Sequence, residues 1–199
     1  KEAADTENRY ILTCKNTDKI CIFTNKGQMH LLKVLDLPYG KFRDKGIPID
    51  NLSNYDSSEE NFIYIINLGA IIHSRLLFGT KTAMLKMVDG SEFDVAKRTT
   101  ASTKLNEDDE LLIVHAMTGE ETVVMQSEKE MFLRIEASTI PEKKKGAVGV
   151  RGMKLNAGDA LSNIYVLDGE NEQTVEVKGK EVVLNRLRVG NRDTKGTKR

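Results

Sequence analysis

Tryptophan is missing from this chain, and cysteine and proline are scarce, at two and three residues in 199. Two cysteines are too few for a disulfide framework or a zinc site, so burial and hydrogen bonding have to hold the fold together. If NTDK (16–19) closed a two-residue hairpin, Cys14 and Cys21 would face each other, yet free thiols are expected in a reduced cytosolic protein. No apolar run approaches the roughly 18 residues of a membrane span, which predicts a chain without a membrane partner. Net charge is absent as well. The 30 Lys and Arg are matched by 30 Asp and Glu, so no class of partner follows from overall charge. The chain opens KEAADTENR, with neither methionine nor a signal-like apolar segment, and reads as a piece of a longer protein.

What is present is a series of short apolar runs. YILTC, ICIFT, MHLLKV, FIYII, LLFGT, AMLKMV, LLIVHAM, TVVM, MFLRI, NIYVL, TVEV and VVLNRL are each bounded by Gly, Asn, Asp or Lys, which is strand spacing rather than helix spacing. No segment keeps helical spacing for 10 residues, and the three prolines, 38, 48 and 141, fall between the runs. An all-β fold is predicted.

Aligned with itself, the chain repeats. ICIFTNKGQMHLLKV, LLFGTKTAMLKMV, VVMQSEKEMFLRI and TVEVKGKEVVLNRL share an apolar strand, a polar turn containing Lys, and a second strand with a basic residue near its end. Those residues are Lys33, Lys86, Arg134 and Arg186, at separations of 53, 48 and 52. A period of about 50 with several strands per unit predicts blades around an axis. The units are drawn at about 9–60, 61–118, 119–170 and 171–199, within one domain over 1–199.

A basic loop rich in glycine or threonine follows each hairpin: YGKFRDKGIPIDNL, AKRTTASTKL, KKKGAVGVRGMKL and NRDTKGTKR. From Lys178 to Arg199 eight basic residues stand against two acidic ones, a formal +6, while acids gather in DSSEEN, NEDDE, GEE and DGENE. In KKKGAVGVRGMKL, Gly146, Gly149 and Gly152 would let backbone amides approach a phosphate and adopt positive φ, beside the charge of Lys143, Lys144, Lys145 and Arg151. The bland alternative is a crossover between blades that needs tight turns.

The segment GVRGMKLNAGDAL (149–161) resembles the C-terminal domain of bacterial type II topoisomerase A subunits, that is, of DNA gyrase and topoisomerase IV. RLRVGNRDTKGTKR resembles the same repeat in the fourth unit, and the first two units match by form more than by letter. The resemblance implies a β-pinwheel, a propeller-like array of about four strand-exchanged blades, which binds and bends double-stranded DNA along a basic rim. It also implies a parent chain with an N-terminal catalytic part, partnered by an ATPase B subunit, in an ATP-dependent enzyme located in the cytoplasm with the nucleoid. Gyrase chains of this kind carry the box Q-R-R-G-G-K-G, for which YGKFRDKG (39–46) keeps charge and glycine but not the letters. A topoisomerase IV-like role is therefore expected over gyrase-style wrapping.

The predicted DNA contacts are Lys41, Arg43 and Lys45 in the first loop, Lys97 and Arg98 in the second, and Lys143, Lys144, Lys145, Arg151 and Lys154 in the third. Arg186, Arg188, Arg192 and Lys195 follow in the fourth, with Lys86 and Arg134 on the hairpins. Tyr39 and Phe42 would either stack on exposed bases or cover a blade edge. No catalytic residue, metal or cofactor is expected in the chain itself. P-loop and GxGxxG motifs are absent. His30, His73 and His115 have no second ligand at metal spacing, and NEDDE lacks the alternation of a calcium loop. The GxxG of KH domains joins helices, whereas strands flank it here. The alternative function is a protein-interaction propeller whose basic rim meets an acidic partner.

Overall fold

The computed structural model describes residues 8–199. In chain order, β1 (Lys19–Thr24) and β2 (Gln28–Lys33) form a first hairpin, followed by β3 (Phe62–Asn67) and one helical turn, α1 (Leu68–Ile71). A second hairpin, β4 (Arg75–Thr80) and β5 (Met84–Asp89), leads to β6 (Thr99–Ala101) and β7 (Leu111–Met117). The third, β8 (Thr122–Ser127) and β9 (Met131–Glu136), leads to β10 (Val150–Arg151) and β11 (Leu161–Leu167). The fourth, β12 (Thr174–Val177) and β13 (Lys180–Val183), precedes β14 (Thr197–Lys198). The hairpin turns of the first three units place Gly27, Ala83 and Glu130 in the left-handed region, at φ 72°, 64° and 63°, as a three-residue hairpin loop requires.

Three sheets have four strands, in the orders β3-β1-β2-β6, β10-β5-β4-β7 and β11-β8-β9-β14, and the fourth is the bare hairpin β12-β13. Each four-stranded sheet takes its last strand from the loop after the next hairpin. β6 pairs with β2, β10 with β5 and β14 with β9, all antiparallel. The residue after each donated strand then reaches back to the left-handed turn residue of the accepting hairpin. Ser102 N donates to Gly27 O at 2.8 Å, Gly152 N to Ala83 O at 2.7 Å, and Arg199 N to Glu130 O at 3.1 Å. This is the strand exchange of a β-pinwheel. The boundary drawn at 60/61 separates β3 from the hairpin it completes, because the proline-containing stretch 34–61 interrupts the alternation that marks a blade.

Neighbouring sheets share cores, and the twofold alternation of strand side chains divides each central strand between two of them. Leu76 and Phe78 of β4 pack with Phe23 and Met29 of the first sheet, whereas Leu77 faces Val123 and Met125 of the third. Val124 of β8 turns the other way, to Val177 and Leu184 of the fourth unit. Runs such as LLF and VVM are apolar without a break because both of their faces are covered. The outward face of the first sheet is closed by the 34–61 connection. There Glu60 Oε1 lies 2.5 Å from His30 Nε2, and Thr99 Oγ1 of the donated β6 lies 2.9 Å from His30 Nδ1.

NTDK does not close a hairpin. Asp18 N donates to Lys15 O in a turn ahead of β1, and Cys21 lies opposite Leu31 and Ile66 rather than Cys14. Both thiols are free, and burial raises that of Cys21 to about 12.

Two glycines of the third loop, Gly149 and Gly152, serve the exchange. None of Gly146, Gly149 and Gly152 has positive φ. A Cβ on Gly149 would lie 2.5 Å from Leu85 O, and one on Gly152 would lie 2.5 Å from Leu85 Cδ1, while one on Gly146 meets nothing within 4 Å. Absence of a side chain at 149 lets β10 lie flush against β5. Gly149→Ala should lower the unfolding free energy by about 1–3 kcal/mol through overpacking against backbone. Gly146→Ala should stay within about 0.5 kcal/mol of the parent. Urea midpoints of the two variants compare them directly.

Candidate nucleic-acid interface

The basic loops are the exchanging segments, so their cations are placed by the pairing just described. Lys97 and Arg98 immediately precede β6, and Arg151 belongs to β10, while Arg192 and Lys195 run into β14. Lys41, Arg43, Lys45, Lys97, Lys144, Arg188 and Lys195 are exposed. None of these seven side chains is engaged in a hydrogen bond or ion pair among the described residues. Lys143 is half-buried, and Lys145 Nζ donates to Glu92 O at 3.0 Å. Arg98 Nη2 donates to Leu52 O at 3.3 Å, tying the second loop to the first connection. Arg186 is exposed and 3.8 Å from Glu172.

The third and fourth loops are joined to each other. Asp193 N donates to Gly152 O at 2.8 Å, Lys154 N to Thr194 O at 2.9 Å, and Arg192 Nη1 to Arg151 O at 2.9 Å. Arg151 places Nε and Nη2 on the Asp193 carboxylate, the second contact at 3.2 Å. Lys154 is exposed beside this pair. The Arg151 guanidinium holds the Asp193 carboxyl below its usual range, with Lys154 and Arg192 adding to the effect.

Two of the predicted contacts are withdrawn. Lys86 is 1% exposed, and its Nζ donates to the carbonyls of Lys144 at 3.1 Å, Lys145 at 3.1 Å and Ala147 at 2.7 Å. It is an internal peg that holds the third loop in its path, and no phosphate can reach it. Arg134 Nη1 donates to the carbonyls of Asn185 at 2.6 Å and Leu187 at 3.1 Å, and Nε to Thr122 Oγ1 at 3.0 Å. It does the same for the fourth loop. The two are not register equivalents, since Lys86 lies opposite Phe78 and Arg134 opposite Val124. In each case a cation turned inward from the accepting hairpin captures the carbonyls of the incoming crossover.

The acidic turns are structural too. Asp109 accepts from Thr82 N at 3.1 Å and Thr82 Oγ1 at 2.6 Å, closing the second hairpin turn, and Asp159 accepts from Lys129 N at 3.2 Å in the third. Among the described residues no group of three or more His, Cys, Asp or Glu is placed to hold a metal. No helix of the described residues is long and apolar enough to cross a membrane. Tyr39 and Phe42 are 94% and 76% exposed, so they do not cover a blade edge.

A family model described as the DNA gyrase C-terminal domain, beta-propeller, matches residues 74–116 and 121–168. Residues 74–116 and 121–168 are thus repeats of the DNA gyrase C-terminal domain family. The matched segments are the second and third units, so the second carries more of the family pattern than its letters suggested. The A subunit of DNA gyrase from Staphylococcus epidermidis is 31% identical over 196 residues, covering 94% of this chain and 22% of its own length. Its counterpart in Lawsonia intracellularis is 29% identical over 194 residues, covering 93% and 23%. The chain thus spans less than a quarter of these relatives. The C-terminal domain of DNA topoisomerase IV superposes with a TM-score of 0.84 at 21% identity, over 98% of this chain and 65% of that one. The E. coli ParC C-terminal domain gives 0.76 at 15% identity, over 94% and 79%. These structures share the fold of this chain, a β-pinwheel.

In this domain Lys86 is the residue whose loss should be felt most. Burial lowers its amine from 10.5 to about 8, with Glu92 opposing the shift, so the ammonium persists at neutral pH. Lys86→Met removes the donor to three carbonyls and should destabilise the domain by about 2–4 kcal/mol. Between about pH 8 and 10.5 the unfolded chain holds a proton that the folded chain has released, so this group adds stability as pH rises. The urea stability of the parent should therefore climb relative to Lys86→Met across that window.

Proposed function

We propose that this chain is the non-catalytic, duplex-DNA-binding C-terminal domain of a bacterial type II topoisomerase A subunit. In the parent enzyme it would bind and bend DNA along the rim formed by the exchanging loops and present segments for strand passage. The observation that carries the reading is the coincidence of charge and exchange. The loops that complete neighbouring sheets also hold the exposed cations Lys97, Arg98, Lys144, Arg151, Arg188 and Lys195, so the pairing that builds the fold also spaces positive charge from sheet to sheet. Such cations contact phosphates and carry no base information directly. Lys41, Arg43 and Lys45 extend the set in the first loop, and Lys143, Lys145, Lys154, Arg186 and Arg192 lie alongside it.

The proposed partners are double-stranded DNA, the catalytic part of the same parent chain and a separate ATPase subunit, in the cytoplasm with the nucleoid. The relatives by sequence are A subunits of DNA gyrase. YGKFRDKG nonetheless lacks the letters of the gyrase box, which favours topoisomerase IV-like contact over tight wrapping. Tyr39 and Phe42, exposed beside Lys41 and Arg43, are placed for contact with a partner rather than for packing within this chain.

Binding to duplex should be independent of sequence, with log K falling against log salt at a slope of about −4 to −6, from roughly four to seven phosphate contacts. Replacing Lys143 and Lys144 together by alanine should weaken binding to every duplex alike and flatten the slope by about 1–2. A strong preference for one base sequence, or an unchanged slope in the double variant, would remove the third loop from the interface. Salt-dependent binding to an acidic protein but not to arbitrary duplex would favour the protein-interaction alternative.

A further inference from the structure

We propose that Arg151, Lys154 and Arg192 form a subsite for one backbone phosphate of duplex DNA, and that Asp193 occupies the place of that phosphate until DNA arrives. The inference rests on the duplex-binding reading above and assigns one of its contacts.

Three observations carry it. First, Arg151 meets the Asp193 carboxylate through two nitrogens, Nε and Nη2. A guanidinium fork that accommodates two carboxylate oxygens accommodates two phosphate oxygens equally well. Second, the pair is open to solvent, with Arg151 55% and Asp193 37% exposed. An ion pair so exposed contributes little to stability, and water or a competing anion can reach it. Third, the cluster is not neutral. Three cations surround one carboxylate, which leaves a formal excess of +2, and an incoming phosphodiester bears the same single charge as the group it would displace.

The backbone explains why the carboxylate stands there. Asp193 sits at φ 63°, in the left-handed region that few side chains other than Asn and Asp adopt readily. Its N–H is fixed on Gly152 O, and the side chain of Arg192 is fixed on Arg151 O. These bonds join the third and fourth loops without help from the carboxylate, so the loops keep their path when Asp193 lets go. The site is particular to this pair of loops. At the positions of the other donated strands that match Arg151 stand Ala101, opposite Gln28, and Lys198, opposite Met131. Counted back from the glycines ahead of β10 and β14, Gly149 and Gly196, the third loop has Gly146 where the fourth has Asp193.

The test is a double-mutant cycle with the 199-residue chain and a duplex of arbitrary sequence, about three helical turns long. Asp193→Asn keeps the side-chain size and tolerates the left-handed backbone, and Asp193→Gly is the second variant should the first fold poorly. With the urea midpoint unchanged, Asp193→Asn should bind about three- to ten-fold more tightly at low salt, with the slope against salt steeper by about 1 because no displaced carboxylate takes up a counterion in exchange. Arg151→Gln should weaken binding by a larger factor in the Asp193→Asn background than in the parent, because there the fork meets phosphate without first giving up the Asp193 carboxylate. Equal factors in the two backgrounds would reduce Asp193 to a general surface charge and overturn the subsite while leaving the DNA reading intact. Absence of duplex binding by the parent and every variant would sink both.

Discussion

An isolated two-stranded hairpin leaves a row of backbone donors and acceptors unpaired along each edge, and every blade of this protein has to deal with that constraint. The solution here is a loan of strand from one unit to the one before. The free edge of β2 is taken by β6, that of β5 by β10 and that of β9 by β14. A bond to the hairpin turn secures each loan, and in the second and third blades an inward-turned cation holds the crossover as well. Gly149 and Gly152, the buried Lys86 and the path of the basic loops all follow from it.

Part of this was legible in the sequence. Alternation bounded by turn residues gave the strands, and the period of about 50 gave the number of hairpins, since both signals come from side-chain burial. The exchange left almost no trace. Val150–Arg151 and Thr197–Lys198 are two residues long, too short for any periodicity, and their pairing is made by backbone atoms that look alike in every residue. Lys86 was misplaced for a related reason. A lysine in AMLKMV ordinarily marks a solvent face, and the one clue against this was the unbroken apolar sequence on either side of it. Gly149 and Gly152 were read as serving a ligand when the close neighbour was Leu85 of the same chain.

Local electrostatics obey the same economy. Acids in the turns between strands are anchors for backbone amides, as Asp109 shows with Thr82. Cations divide into two populations, those turned inward on carbonyls and those left to solvent on the exchanging loops. Overall neutrality conceals this division, because a count of charges cannot distinguish a lysine that fastens a loop from one that faces outward.

Completion by a later segment has a bearing on how the chain matures as it is made. The first hairpin ends at Lys33, yet its sheet lacks a strand until Ala101 has emerged, and the third hairpin, ending at Glu136, waits for Lys198. Each of these blades therefore spends the synthesis of more than 60 further residues with one edge bare. Residues that emerge in the meantime are those of the next hairpin, itself an apolar ribbon with a bare edge. Order of emergence thus sets a choice between premature pairing of neighbouring hairpins and waiting for the proper loop, and the turn-directed bond that follows each donated strand gives the waiting partner its register.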